Sequence, residues 1–251
     1  MAEHLKLAKP SLPVAPDFVR TSTANNILLS VDMIRAQPRP AMTMVCGVPG
    51  CGKSTTLEML AKSDPDARLI SIAPGEGGAF GVAEIIVDKF GLGIRPKGST
   101  IATLSREIGR FLQHAGIWLM VDEAQHLTKE GADWLRILCE ESRTDLLLAG
   151  DLRLARMIDE MPQLQSRMLR AVIVEEVTEG DVRDLAQAFG VQRKASFTML
   201  HRAALVKGGL RTVNTALLIT QTGSDADGFD EELLPAALME IGLIAGEGTT
   251  K

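Results

Sequence analysis

The sequence predicts an α/β fold in which a doubly wound parallel sheet of five strands is followed by a small all-helical domain. Short apolar runs alternate with segments of helical spacing between residues 18 and 177, as buried parallel strands and their crossover helices do. A glycine-rich stretch joins the first apolar run to the helix after it, and two later runs end in acidic residues. Beyond residue 178 the apolar runs stop and amphipathic helical segments follow.

The N-terminal residues 1–17 contain several prolines, a composition typical of an extended arm. From Phe18 the composition changes, and hydroxyl residues at 21–23 precede an apolar face that predicts a helix over residues 27–34. A Pro-Arg-Pro sequence then ends this helix. We therefore predict three parts of the chain: an arm at 1–17, an α/β domain at 18–177 and a helical domain at 178–251.

The other elements follow from apolar periodicity. The predicted strands are residues 41–46, 68–73, 117–121, 145–150 and 171–174. The predicted helices after the glycine-rich stretch are residues 55–62, 81–90, 99–114, 180–189, 195–207, 211–222 and 231–244. The last residues, 246–251, are expected to be frayed.

The glycine-rich stretch fits the phosphate-binding loop pattern, and its residues are Gly47, Val48, Pro49, Gly50, Cys51, Gly52, Lys53 and Ser54. Glycines permit positive φ angles and let backbone N–H groups surround phosphate oxygens at a helix N-terminus. We expect Lys53 to reach the β- and γ-phosphates and the Ser54 hydroxyl to bind Mg²⁺, with Thr55 also among the nucleotide-binding residues. A turn that binds nothing is disfavoured, because a strand and a helix flank the loop in the order the motif requires.

Two predicted strands end in acidic residues. The run of residues 117–121 is followed by Asp122 and Glu123, and the next run by Asp151. Desolvated carboxylates are costly unless they have a function. We expect Asp122 to hold Mg²⁺ with Ser54, and Glu123 to polarise the attacking water. The alternative is a strand that simply ends at a polar surface.

Composition limits the possible functions. The 251-residue chain has a net charge of −5, which argues against a surface coated in positive charge for nucleic acid but allows a local basic patch. Its three cysteines lack the spacing of a disulfide framework or a metal site. No apolar run approaches a membrane span or a signal sequence, so we expect a soluble cytoplasmic protein without a membrane partner.

An α/β nucleotide domain followed by a helical lid resembles the AAA+ ATPases of the P-loop NTPase class. The acidic motif at 121–127 resembles that of the Mu B family of transposition target-selection ATPases, and stretches 18–24, 148–151 and 163–167 resemble the family at corresponding places. The resemblance implies ATP and Mg²⁺ as cofactors, and ATP-dependent self-assembly on DNA of any sequence as a ring or helical filament. It also implies delivery of that DNA to a transposase or integrase, and ATP hydrolysis stimulated by both.

The same resemblance assigns further residues. It implies that Arg167 reaches the ATP of a neighbouring subunit, with Arg170 as the second candidate, and that Arg211 senses the bound nucleotide. It also places Phe18 and Thr21 among the nucleotide-binding residues. Where the family usually has Asn at the tip of the fourth strand, this chain has Asp151. A carboxylate there repels phosphate unless it is protonated or bound to Mg²⁺, which predicts slow hydrolysis.

Several exposed cations are candidates for DNA contact, with a solvated surface charge as the alternative for each. They are Arg95, Lys97, Arg106, Arg110, Arg193 and Lys194. Two other functions remain open at this point. One is an ATP-gated protein-interaction switch or loader that does not bind DNA, and the other is a metabolic kinase, which the helical domain and the acid pair disfavour.

Overall fold

The computed structural model describes residues 18–224 and 228–243. The predicted arm at 1–17 and the tail at 246–251 therefore lie outside the described residues. The chain divides into two compact units. One comprises residues 22–176, and the other takes in residues 18–21 together with the described residues from Val177 onward.

The first unit contains a five-stranded sheet in which every pair of neighbouring strands is parallel. Its strands are β1 (Met42–Gly47), β2 (Ala67–Ser71), β3 (Trp118–Asp122), β4 (Leu146–Gly150) and β5 (Met168–Val174). Their order across the sheet is β2-β3-β4-β1-β5. The predicted parallel sheet of five strands is thereby confirmed. The order places the carboxyl ends of β3, β4 and β1 side by side at one edge.

Seven helices accompany this sheet among the described residues of the first unit. They are α1 (Ser22–Arg35), α2 (Lys53–Ser63), α3 (Ala79–Phe90), α4 (Ile101–Ala115), α5 (Lys129–Ser142), α6 (Leu152–Asp159) and α7 (Pro162–Gln165). The sequence analysis assigned no element to α5, α6 or α7. Helix α7 is too short to display a periodicity, α6 has only two turns to display one, and Gly131 weakens the pattern in the first turn of α5.

In the central strands β3, β4 and β1, successive residues contribute to two different cores, one on each face of the sheet. Met44 and Val121 pack with apolar residues of α3 to α7. Val45 and Met120 pack with apolar residues of α1 and α2 on the opposite face. Burial on both faces explains why these strands are continuous apolar runs rather than alternating ones.

The second unit is helical, with α8 (Glu179–Ala188), α9 (Lys194–Val206), α10 (Gly209–Gly223) and α11 (Leu234–Glu240). Thr178 and Asp181 form a capping box that starts α8. The predicted helix at 231–244 is wrong at both ends, since α11 stops at Glu240 and is followed by Gly242, whose φ angle is 75°. A short 3₁₀ turn occupies Glu231–Leu233, and α11 begins beside Pro235, which favours a first helical turn over a helix interior. No helix in the described ranges is long and apolar enough to cross a membrane.

Candidate nucleotide-binding site

The loop between β1 and α2 has the backbone that its glycines allow. Gly50 and Gly52 have φ angles of 76° and 100°, in the left-handed region that favours glycine. Gly47 is needed for a different reason. A Cβ atom there would lie 2.9 Å from Val174 Cβ, and the next residue, Val48, donates its N–H to Val174 O at 3.0 Å. The loop is therefore held closely against the end of β5.

The Lys53 ammonium lies at this loop. Its Nζ donates to Gly47 O at 2.8 Å and to Val48 O at 3.1 Å, and it lies 3.5 Å from Cys51 Sγ. The lysine that the motif assigns to phosphate binding is thus beside the backbone expected to surround the phosphates. Ser54 is half-buried in the first turn of α2, while Thr55 is exposed.

The cysteines near the loop are buried, free thiols. Burial raises the pKa of the Cys46 thiol at the end of β1 to about 11, although the nearby charge of Lys53 acts in the opposite direction. Cys46 is therefore a thiol and not a thiolate nucleophile at neutral pH. Cys46 and Cys51 are buried residues that pack beside the loop.

Asp122 and Glu123 differ sharply in their surroundings. Asp122 is only 8% exposed, and its Oδ1 accepts the Glu123 N–H at 2.8 Å. The Glu123 side chain is exposed, and its backbone has φ 54° and ψ 31°. A left-handed conformation is uncommon for a residue other than glycine and is often associated with functional sites. The turn at Glu123 ends β3 and projects this carboxylate beyond the sheet edge.

Asp151 follows β4 as the N-cap of α6. Its Oδ1 accepts the Arg153 N–H at 2.8 Å, and its Oδ2 accepts the Arg153 Nε at 2.8 Å. Partial desolvation raises the pKa of the Asp151 carboxyl, but the hydrogen bonds from Arg153 and the charge of Lys53 outweigh it and leave the pKa below its usual value. The sequence analysis considered protonation of Asp151 or its binding to Mg²⁺, and did not consider an ion pair with Arg153. The shift of the pKa disfavours protonation.

Gln125 lies within the acidic motif at 121–127, but the sequence analysis gave it no role. Its side-chain Nε2 donates to Glu123 Oε2, and its Oε1 accepts the Asp151 N–H at 3.1 Å. Gln125 and Arg153 are the two site residues that sequence reasoning missed. The position of Arg153, two residues after a capping Asp, is a signal that could have indicated it.

The proposed Mg²⁺ donors fit a hard cation. A hydroxyl from Ser54 and a carboxylate from Asp122 are oxygen ligands of the kind that Mg²⁺ prefers, and Mg²⁺ bound with a nucleotide commonly uses one or two such groups from the protein. The described residues contain no group of three or more His, Cys, Asp or Glu side chains arranged to hold a metal alone. The donor set therefore suits a cation shared with phosphates.

The candidate arginines lie in three different settings. Arg167 has a 58% exposed side chain, and its Nε is 2.7 Å from Glu140 Oε1. Arg170 donates through Nη2 to Asn26 Oδ1 at 2.8 Å, so its guanidinium joins β5 to α1 of its own chain. Arg211 is exposed in the first turn of α10, in the helical unit. Arg170 is thus engaged within its own chain, while Arg167 and Arg211 are exposed.

The two lead-in residues also belong to the helical unit. Phe18 is half-buried, whereas Thr21 is buried and donates its N–H to Val19 O at 3.1 Å. The sequence analysis had placed both in the α/β domain. Their nucleotide-binding role stays a prediction.

The DNA-contact candidates are exposed, but they are not equally free. Arg110 Nη1 lies 3.0 Å from Glu107 Oε1, and Arg193 Nη2 lies 3.4 Å from Glu232 Oε1. Arg95 and Lys97 are exposed in the loop between α3 and α4, and Arg106 is exposed on α4. Lys194 is exposed at the start of α9. The neighbouring acids partly offset the charges of Arg110 and Arg193, so the loop cations are the stronger candidates.

Two protein families match this chain in succession. Residues 37–158 match the family described as AAA domain. Residues 166–241 match the family described as Mu B transposition protein, C terminal.

Curated relatives match most of the chain. The ATP-dependent target DNA activator B of Escherichia phage D108 is 28% identical over 94% of this chain and 77% of that protein. The protein of the same name from Escherichia phage Mu is 27% identical over the same shares. The Mu-like prophage FluMu DNA transposition protein B of Haemophilus influenzae is 27% identical over 83% of this chain and 72% of that protein.

Solved structures share the fold at low sequence identity. The Aeropyrum pernix ORC2 protein in ADPNP-ADP complexes has a TM-score of 0.65 at 18% identity, over 93% of this chain and 71% of that chain. The Aeropyrum pernix ORC1 protein in complex with DNA has a TM-score of 0.61 at 15% identity, over 90% and 66% of the two chains. These likenesses confirm the predicted fold class.

Proposed function

We propose that this chain is an AAA+ ATPase of the Mu B type, which assembles with ATP on target DNA and delivers that DNA to a transposase. The observation that carries the proposal is the succession of two family matches, an AAA domain followed by the C-terminal region of Mu B transposition proteins. Relatives over nearly the whole chain bear the names target DNA activator and DNA transposition protein. Those names support DNA as the substrate of the proposal, and the transposase partner is the one that the resemblance in the sequence analysis implies.

The ATP phosphates bind to the backbone N–H groups of the glycine loop and to Lys53. The positive φ angles at Gly50 and Gly52 support this, because successive amides in such a turn form an anion-binding concavity. Ser54 and Asp122 would hold Mg²⁺, whose charge offsets that of the phosphates. On nucleotide binding, Lys53 Nζ exchanges its hydrogen bonds to loop carbonyls for stronger ones to phosphate oxygens.

Glu123 orients and polarises the water that attacks the γ-phosphate. Two observations support the role: the Glu123 side chain is exposed, and it follows β3, which lies beside β4, the strand that ends before Asp151. Asp151 carries a negative charge that Arg153 neutralises at close range. The ion pair reduces the repulsion between the β4 tip and the phosphates, while the absence of an amide there still favours slow hydrolysis.

The nucleotide site is completed by a neighbouring subunit through Arg167. An arginine that acts across an interface must be exposed on its own chain, and Arg167 is 58% exposed. It pairs here with Glu140, whose pKa is raised by partial desolvation and lowered more strongly by hydrogen bonds from Arg167 and Arg136, with a net fall. Assembly would transfer the Arg167 guanidinium from this carboxylate to the γ-phosphate. Head-to-tail contacts of that kind give rings or helical filaments.

DNA binding depends on repetition of a small basic surface. The chain has a net charge of −5, so one subunit offers few phosphate contacts, and the exposed Arg95 and Lys97 are the stronger candidates for them. In an assembly, each subunit adds its own Arg95 and Lys97 to the same DNA duplex. Contacts to the backbone carry no sequence information, so binding is independent of sequence.

The net charge also favours a second candidate function, an ATP-gated switch that binds another protein and not DNA. ATP turnover separates the two candidates. We expect mixed-sequence duplex DNA to increase turnover several-fold at saturating ATP, with a reaction that lacks the protein as the baseline. Turnover that is measurable but insensitive to DNA supports the switch, and turnover no faster than the baseline contradicts the ATPase assignment.

A further inference from the structure

We infer that Gln125 is a positioning residue for ATP hydrolysis, which fixes the orientation of the Glu123 carboxylate and ties it to the tip of β4. The inference rests on the proposed role of Glu123. Gln125 acts through its two neighbours, Glu123 and Asp151, and does not itself contact the nucleotide.

The side-chain amide of Gln125 uses both of its ends. Its Nε2 donates to Glu123 Oε2, and its Oε1 accepts the backbone N–H of Asp151 at 3.1 Å. The chemistry fixes the direction of the amide, because a carboxylate can only accept and a backbone N–H can only donate. Among ordinary side chains of this length, glutamine alone supplies a neutral donor and an acceptor in this arrangement. One side chain therefore bridges the ends of β3 and β4.

The backbone of β4 is shaped to receive this side chain. A Cβ atom at Gly150 would lie 2.6 Å from Gln125 Oε1 and 3.1 Å from Gln125 N. The first distance is shorter than real Cβ atoms show, and the second is tighter than most real Cβ contacts. The absence of a side chain at Gly150, immediately before Asp151, is thus what lets Gln125 reach the Asp151 N–H. The hydrogen bond from the Asp151 N–H to Gln125 Oε1 is separate from the one that Gln125 Nε2 donates to Glu123.

Glu123 needs an external constraint. Its side chain is exposed and its backbone is left-handed at the end of β3, followed by one 3₁₀ turn at Ala124–His126. A flexible, exposed carboxylate samples several rotamers, whereas orienting an attacking water requires one. The amide of Gln125 selects that rotamer. It also transmits any shift of the Asp151 backbone, whose carboxylate is held by Arg153, to the Glu123 carboxylate.

The inference predicts an effect on turnover and not on nucleotide binding. In Gln125→Leu, which keeps a similar volume and loses both hydrogen bonds, we expect kcat to fall by about tenfold or more, with the Kd for ATP within twofold of wild type. Gln125→Glu retains the acceptor for the Asp151 N–H but cannot donate to Glu123 and repels it. We expect kcat in this variant to fall at least as far. Wild-type kcat in Gln125→Glu would show that Gln125 merely supports the β4 tip, and would overturn the inference.

A double variant tests whether Gln125 acts through Glu123. Adding Gln125→Leu to Glu123→Gln should cause no further loss of kcat, because the group being positioned is already absent. Additive losses would overturn the inference. Wild-type turnover in Glu123→Gln alone would instead reject the proposed role of Glu123. A slow Glu123→Gln together with a normal Gln125→Leu would reject only the positioning role.

Gly150→Ala provides a second route if the Gln125 variants fold poorly. The added methyl group displaces the Gln125 amide without changing any polar group of the site. We expect the same loss of kcat with unchanged ATP affinity. Normal turnover in a folded Gly150→Ala protein would contradict the inference.

Discussion

The Arg153 guanidinium lies 2.7 Å from the Asp151 carboxylate, at the strand tip where the chain was expected to present an unpaired negative charge. The pair holds the pKa of Asp151 below its usual value despite partial desolvation. A carboxyl whose pKa is lower in the folded than in the unfolded state stabilises the fold above the unfolded pKa. That contribution is lost as the pH falls through the folded pKa.

Asp151→Asn should therefore reduce the free energy of unfolding more at pH 7 than at pH 3. Asparagine remains a good N-cap for α6, so the change isolates the ion pair, whose contribution is kept small by solvent screening because Arg153 is largely exposed. Urea unfolding at the two pH values measures the difference. Arg153→Ala serves as the partner control. A penalty in Asp151→Asn that is equal at both pH values would show that the ion pair does not contribute.

Lys53→Ala should weaken ATP binding by at least about tenfold. It removes a cation at the phosphate loop, and hydrogen bonds to charged groups contribute about 1.5–3 kcal/mol. Equilibrium titration with a fluorescent ATP analogue measures the loss. Lys62→Ala is a matched control, because Lys62 is an exposed lysine in the last turn of the same helix. Equal affinities in the two variants would refute the assignment of Lys53.

Glu123→Gln should bind ATP as wild type does and hydrolyse it about 100-fold more slowly or worse. The amide keeps the shape of the side chain but cannot accept a proton from water, and general bases commonly contribute at least that factor. Single-turnover hydrolysis with saturating protein separates this step from nucleotide binding. Undiminished hydrolysis would place the base elsewhere, with Asp151 next to be tested.

Arg167→Ala should bind ATP but fail to assemble and hydrolyse it poorly, because the arginine acts on the nucleotide of a neighbour. Mixing this variant with Lys53→Ala subunits should restore part of the activity, since each supplies the group that the other lacks. Arg156→Ala, an exposed arginine on α6, is the matched control and should retain activity. Absence of rescue at every mixing ratio would contradict a site shared between subunits.

The sequence was sufficient for features that depend on local pattern. The strands are short apolar runs because both faces of the sheet are buried, and the phosphate loop is recognisable because its glycines and Lys53 have fixed spacing. Helix α5 was missed although its apolar residues are buried. There Gly131 weakens the pattern in the first turn, although Ala132, Leu135, Leu138 and Cys139 recur at helical spacing.

Features that depend on strand order could not be predicted. Gln125 meets Asp151 because β3 lies beside β4, and no local pattern specifies that neighbour. The same is true of Arg170, whose guanidinium meets Asn26 only because β5 lies against α1. Sequence spacing identified the charged groups of the site, while the partners of those groups required the fold.

The central claim, ATP-dependent assembly on DNA, is tested most directly by DNA affinity with ATP and with ADP over a salt series. We compare wild type with Arg95→Ala/Lys97→Ala and with Lys62→Ala/Lys207→Ala, a control that removes two exposed charges from elsewhere on the surface. With ATP, we expect the logarithm of the binding constant to fall with the logarithm of salt concentration by about 0.9 per phosphate neutralised. The loop variant should show a weaker affinity and a shallower slope than the control, and ADP should abolish binding. Binding that is equal with ATP and ADP, or independent of salt, would contradict the account.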